Sequence, residues 1–176
     1  YEARITLSDD KAVNAAFVKF EGLLLEAGLS ALRGEKFSIK IELDTRPPAG
    51  AVVVNKIVNK FFPLAFLTYD LPSLFAGKVH AVLSRKYAKG RDYYDVIWYL
   101  TRHKDLQPNL SLLAEALRQT GWKGGPVEQH NWRAVLAQKV LAVDWDAVSR
   151  DAVNFIEDPG DMKIFSRENV LQMLAG

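Results

Sequence analysis

The chain carries 176 residues, 49% of them apolar, with 23 basic and 21 acidic side chains, a net charge of +2 and no cysteine. That is enough apolar material for one good core, or a core plus a smaller satellite, without help from a disulfide or a metal; near-balanced charge places no global demand for a nucleic-acid or membrane partner. Lack of cysteine excludes a disulfide framework, a thiolate zinc site and a cysteine nucleophile, and no apolar run approaches the ~20 residues that cross a bilayer.

No basic-then-apolar leader opens the chain, so the expected setting is soluble and cytoplasmic. The chain begins at Tyr1 rather than at a methionine, which leads to the expectation that it is part of a longer polypeptide.

Ser8 or Asp9 can cap a helix in which Val13, Phe17, Phe20, Leu24 and Leu25 recur at helical spacing until Gly28 stops it. From Lys36 the period changes to two. Phe37, Ile39, Ile41 and Leu43 fall on one face and Ser38, Lys40, Glu42 and Asp44 on the other, which predicts a half-buried strand. Pro47-Pro48-Ala49-Gly50 breaks it. Val52-Val53-Val54 and Phe61 to Tyr69 then read as two strands joined through the polar segment Asn55 to Lys60, most simply as an antiparallel hairpin.

After Tyr69 the signal is helical throughout. Asp70 or Ser73 can cap a helix running to about Arg85, with Pro72 in the first turn, where its missing N–H does no harm. Arg91 to His103, Leu110 to Gln119, Pro126 to Leu141, Asp144 to Glu157 and Ser166 to Leu174 supply the rest, punctuated by Gly121, Gly124-Gly125 and Pro159-Gly160. The fold class is α+β, with residues 1–69 mixed and 70–176 all-helical.

Lys78 lies on one line with Leu74 and Val82 in an otherwise apolar stripe, where a lysine either snorkels from the edge or has a partner for its ammonium. Gly77 beside it costs about 1 kcal/mol against alanine in a helix interior and points to close approach of another backbone or a ligand. Asp92 and Asp95 share a helical face in a first turn, where the macrodipole alone explains two acids. Arg91 can pair with them or contact phosphate. Arg85, Lys86 and Lys89 make the preceding loop basic, which suits a polyanionic ligand. Glu42 and Asp44 share the polar face of their strand, as solvated carboxylates or, for Glu42, as one ligand of Mg²⁺.

The order Ile39-Lys40-Ile41-Glu42, then Asp70-Leu71-Pro72-Ser73-Leu74-Phe75-Ala76-Gly77-Lys78, then Lys89-Gly90-Arg91-Asp92-Tyr93-Tyr94-Asp95 resembles the nucleotidyltransferase toxins of the AbiEii/AbiGii family, within the polymerase β-like nucleotidyltransferase superfamily. The resemblance covers most of residues 10–100 and, more loosely, the helical tail. It implies transfer of a nucleoside monophosphate from an NTP to an acceptor such as tRNA or another RNA, in a toxin–antitoxin pair with a role in phage defence and with a cognate antitoxin as partner. Carried over by motif, Glu42 matches the strand-borne metal carboxylate, Lys78 the lysine at the NTP phosphates and Asp92 the downstream acid required for activity. Arg85 and Arg91 join Lys78 in substrate binding, and Asp44 and Asp95 support, Asp95 by orienting Arg91 or its helix. Mg²⁺ is the implied cofactor.

A Gly-Ser or Gly-Gly-Thr turn followed by a strand bearing Asp-x-Asp, which carries the main metal ligands in that family, has no match upstream of Glu42. Gly28-Leu29-Ser30 with Glu42-Leu43-Asp44 imitates the spacing, but Ile39 to Glu42 is better matched to the later strand. On this reading the chain is the C-terminal portion of such an enzyme, with residues 1–69 a remnant of its α/β domain and 70–176 a helical domain, and is inactive by itself. The competing reading is a non-catalytic relative that acts as a protein- or RNA-interaction module. Tyr87, Tyr93 and Tyr94, interleaved with the basic cluster, can stack on bases or serve as packing residues. Trp98, Trp122, Trp132 and Trp145 read as core of the helical half, and no pair among His80, His103 and His130 has metal-ligand spacing.

Overall fold

The structure, a computed structural model, describes residues 2–6, 13–156 and 159–176. Among these the chain forms five β-strands and eight α-helices, and it divides into two compact units, Tyr1–Pro47 and Pro48–Gly176.

The first unit is a three-stranded antiparallel sheet in the order β1 (Glu2–Thr6), β2 (Val13–Glu21), β3 (Lys36–Asp44), with a single helical turn, α1 (Leu23–Glu26), between β2 and β3. The helix expected over Val13 to Leu25 is therefore a strand followed by one turn; its expected caps, Ser8 and Asp9, lie outside the described residues. Val13, Phe17 and Phe20 repeat at a spacing that fits a helix, but the segment is also rich in β-formers. Pairing on both edges, with Ala15 opposite Thr6 on one side and Glu42 on the other, decides for the strand.

The alternation of β3 holds, with Phe37 facing Phe20 across the ladder at 6.2 Å between ring centroids. The expected burial does not: Phe37, Ile39, Ile41 and Leu43 are 40–62% exposed. A one-turn helix is too short to cover a sheet face.

The second unit opens with an antiparallel hairpin, β4 (Val53–Asn59) and β5 (Pro63–Tyr69). Asn55 to Lys60, expected as the connector, mostly continues β4, since Ile57 and Val58 extend the strand pattern; Asn59 pairs with Pro63 at the tip. Seven helices follow: α2 (Leu71–Ser84), α3 (Gly90–Arg102), α4 (Leu110–Gln119), α5 (Trp132–Ala142), α6 (Trp145–Ala152), α7 (Pro159–Ile164) and α8 (Arg167–Ala175). The boundaries of α2, α3, α4 and α8 fall within a residue or two of expectation, and in α2, α4 and α8 a side-chain cap marks the start. Asp70 accepts from Ser73 N at 2.9 Å, Asn109 from Leu112 N at 3.2 Å and Ser166 from Asn169 N at 3.1 Å.

Three helical stretches differ from expectation. Pro126 to Asn131 forms a turn held by the Asn131 side chain, which accepts from Glu128 N at 2.7 Å and donates to Pro126 O at 2.9 Å, so α5 starts only at Trp132. Beyond Ala152 the α-helix tightens to a 3-10 turn, Val153–Phe155. Pro159-Gly160 opens α7 instead of ending a helix, as proline in a first turn permits.

Phe75, Val79, Ile97, Leu113, Trp132 and Leu136 are fully buried at the centre of this unit, with the Phe75 and Trp132 rings edge to face at 5.7 Å. Ser73, also buried, ties three elements together: its hydroxyl accepts from Val52 N at 3.1 Å and from the Asn109 side chain at 3.0 Å. Among the described residues, no helix is long and apolar enough to cross a membrane.

Candidate functional site

Helix α2 buries Phe75, Ala76, Val79, Val82 and Leu83 on its inner face. Lys78 sits at the margin of that stripe, half-exposed, and its Nζ lies 2.6 Å from Asp95 Oδ2 on α3. Asp95 thus supplies the partner that a lysine in this position requires, rather than serving Arg91 or its own helix as expected. Gly77 does not receive the expected close approach: a Cβ built there meets nothing within 4 Å. Its backbone borders open space on the exposed side of α2.

Helix α3 is positioned by its first residue. A Cβ on Gly90 would stand 2.3 Å from Val148 O and 2.4 Å from Ala152 N, so only glycine lets α3 begin against the backbone of α6. Asp151, on α6, accepts from Gly90 N at 2.6 Å and supplies negative charge at the α3 N-terminus. Two residues on, Asp92 is buried, and its Oδ2 lies 2.7 Å from Arg85 Nε, just beyond the end of α2. The contact is an ion pair without an aligned hydrogen bond. Arg85 remains 42% exposed while the Asp92 side chain is 4% exposed, so the guanidinium connects a buried carboxylate to the surface.

Lys78, Tyr94, Asp95, Trp98, Tyr99 and Phe155 line a hollow of about 390 Å³. Trp98 was expected in the core, but it is 39% exposed. Its ring is fixed by T-shaped contacts with Tyr99 at 5.1 Å and His103 at 5.7 Å. Tyr94 is fixed by its hydroxyl, which donates to Asp161 Oδ2 at 2.6 Å. The signal for Trp98 was present in the helical spacing: Arg91, Asp95, Trp98 and Arg102 fall along one side of α3, and Tyr93, Val96, Ile97 and Leu100 along the other. Trp132 and Trp145 are buried as expected, and Trp122 packs against the core from a partly buried position.

The connecting loop is basic and open. Arg85, Lys86, Lys89 and Arg91 are all exposed, and Tyr87, 72% exposed, carries the Lys86 ammonium 5.4 Å from its ring centroid. Tyr93 points inward instead. Burial, with a smaller contribution from the Asp92 charge, pushes its phenol up to about 12, and its hydroxyl has no hydrogen-bond partner among the described residues. His80 lies with Nε2 3.0 Å from Thr120 Oγ1. Burial holds its imidazole below the ordinary value, opposed by a hydrogen bond involving Ala116 and reinforced by the Arg85 charge.

Glu42 and Asp44 belong to the first unit, at the end of β3. Lys40 Nζ lies 2.6 Å from Glu42 Oε1, and Asp44 Oδ1 accepts from Arg46 N at 2.9 Å, all at the surface. Among the described residues no group of three or more histidine, aspartate or glutamate side chains is placed to hold a metal. A single exposed carboxylate already facing a lysine does not make a Mg²⁺ site, and the chemistry below is derived from the chain's own cations.

Across protein families, residues 2–167 match the family described as nucleotidyl transferase AbiEii toxin, type IV TA system. No curated protein and no solved structure matches the chain.

Proposed function

The chain belongs to the AbiEii family of nucleotidyl transferase toxins of type IV toxin–antitoxin systems, and on that premise we propose that it serves transfer of a nucleoside monophosphate from an NTP to an RNA acceptor such as tRNA. An acceptor hydroxyl oxygen bonds the α-phosphorus and gives up its proton to solvent as the bond to the α,β-bridging oxygen breaks, and pyrophosphate leaves with that oxygen. Lys78 is the residue assigned to the triphosphate. It is half-exposed at the rim of a hollow and, among the described residues, is paired with Asp95, so a phosphate oxygen can take the place of Asp95 at its ammonium. Neutralising charge on the departing phosphates is most of what such a transfer asks of protein side chains.

Arg85 and Arg91 supply further positive charge at the exposed end of the site. Asp92, buried against Arg85, acts as a positioning residue that aims the guanidinium. Mg²⁺ is the proposed cofactor of the family reaction, while Glu42 and Asp44, engaged with Lys40 and with Arg46 N, take no part in these steps. A cognate antitoxin and a role in phage defence complete the proposed setting.

The family match across residues 2–167 carries this reading. Calorimetric titration of the chain with NTPs tests it. Binding that weakens at least tenfold in Lys78→Ala is the expected result, and equal affinity in the two proteins would remove the role given to Lys78.

A further inference from the structure

We infer that the hollow beside Lys78 is a base-stacking subsite, in which the nucleobase of the bound nucleotide lies against the Trp98 ring with Phe155 as a second aromatic wall. The inference rests on the nucleotide-binding role of Lys78 and extends it to the other end of the ligand.

Among the described residues, four aromatic side chains, Tyr94, Trp98, Tyr99 and Phe155, share this hollow with the Lys78 ammonium and the Asp95 carboxylate. Trp98 and Phe155 are 39% and 46% exposed. Large aromatic surface left uncovered in a concavity gains free energy when a flat ligand covers it. The hollow, about 390 Å³, is within the size range of small-molecule sites.

Two of its rings are already held in place. Trp98 is braced by Tyr99 and His103 and Tyr94 by Asp161, so little rotamer freedom remains to be lost on binding. The ammonium and the rings line one hollow, so a single nucleotide can place its phosphates at the former and its base on the latter. The polar groups of the lining are engaged with each other or with the protein: Lys78 with Asp95, Tyr94 with Asp161. Stacking without hydrogen-bond readout tolerates every base and favours purines through their larger face.

Titration of the full chain with ATP, CTP and inorganic tripolyphosphate tests the subsite, using wild type, Trp98→Ala, Trp98→Phe and Lys78→Ala, each checked by thermal melting. Wild type is expected to bind ATP more tightly than CTP and both more tightly than tripolyphosphate. Trp98→Ala is expected to lose roughly tenfold in ATP affinity while keeping its tripolyphosphate affinity, and Trp98→Phe to retain most of the ATP affinity. If Trp98→Ala binds ATP as wild type does, or weakens ATP and tripolyphosphate equally, the stacking subsite is overturned. In that case loss of binding in Lys78→Ala leaves the phosphate role of Lys78 standing. If wild type binds neither ATP nor tripolyphosphate, the nucleotide site itself fails and the subsite with it.

Discussion

Lys78 Nζ lies 2.6 Å from Asp95 Oδ2, and both side chains keep more than a third of their surface in solvent. The second cation–carboxylate pair between the same two segments, Arg85 with Asp92, has its carboxylate buried. Two contacts of similar length thus have different consequences. A partly solvated pair contributes little to stability and exchanges partners readily, whereas a buried carboxylate cannot lose its cation without cost.

Asp95→Asn removes the competitor for the Lys78 ammonium and a source of repulsion for phosphate. Affinity for tripolyphosphate is expected to rise several-fold, with less than about 1 kcal/mol lost from folding stability. Calorimetry and urea denaturation on the same preparation read both quantities, and unchanged phosphate affinity would show that Asp95 does not compete.

Asp92→Asn is expected to destabilise the chain by about 1–2 kcal/mol, less than the loss of a fully buried ion pair because Arg85 is half-exposed. Urea denaturation of Asp92→Asn, Arg85→Met and the double variant checks this. A double variant whose loss equals the sum of the single losses would mean that the pair is uncoupled.

Gly90→Ala places a methyl group against the backbone of α6, which no side-chain rotation can relieve. Stability is expected to fall by about 3 kcal/mol, read as a lowered denaturation midpoint. A variant as stable as wild type would contradict the close approach of α3 to α6.

Tyr93→Phe deletes a buried hydroxyl that has no hydrogen-bond partner among the described residues. The substitution is expected to be neutral or to stabilise by up to about 1 kcal/mol, since no bond is lost and a desolvated polar atom is removed. A loss above about 1 kcal/mol would reveal a partner for the hydroxyl.

His80 binds its proton less readily in the folded chain than in the unfolded one, where its ordinary value of 6.5 applies. Stability is therefore full above pH 6.5 and falls as pH drops through that value toward the lowered folded one. Titration of the His80 ring by NMR is expected to give a value below 6.5, and His80→Gln to flatten the melting temperature between pH 7.5 and 5. A ring that titrates above 6.5 would reverse the sign.

The helical half was legible because its signals are local. Asp70, Asn109 and Ser166 act on backbone groups within three residues of themselves, and the proline after Asp70 acts within its own turn, so the bounds of α2, α4 and α8 follow from sequence. The order of the Ala-Gly-Lys and Gly-Arg-Asp motifs was likewise enough to reach the family.

By itself, then, the sequence determined the cap-bounded helices, the alternating face of β3 and the kinship of the chain. Tertiary structure decided that Val13 to Glu21 is a strand, because both of its pairing partners lie elsewhere in the sequence. It also decided that Lys78 meets Asp95 while Asp92 meets Arg85, since the crossing of α2 and α3 sets which side chains can reach. Trp98 lies between these cases: its spacing on α3 placed it on the polar side, and the tertiary structure placed it in the lining of a hollow. Capping depends on chemistry within one turn, whereas pairing and concavity depend on where distant segments pack, and no short window of sequence contains that information.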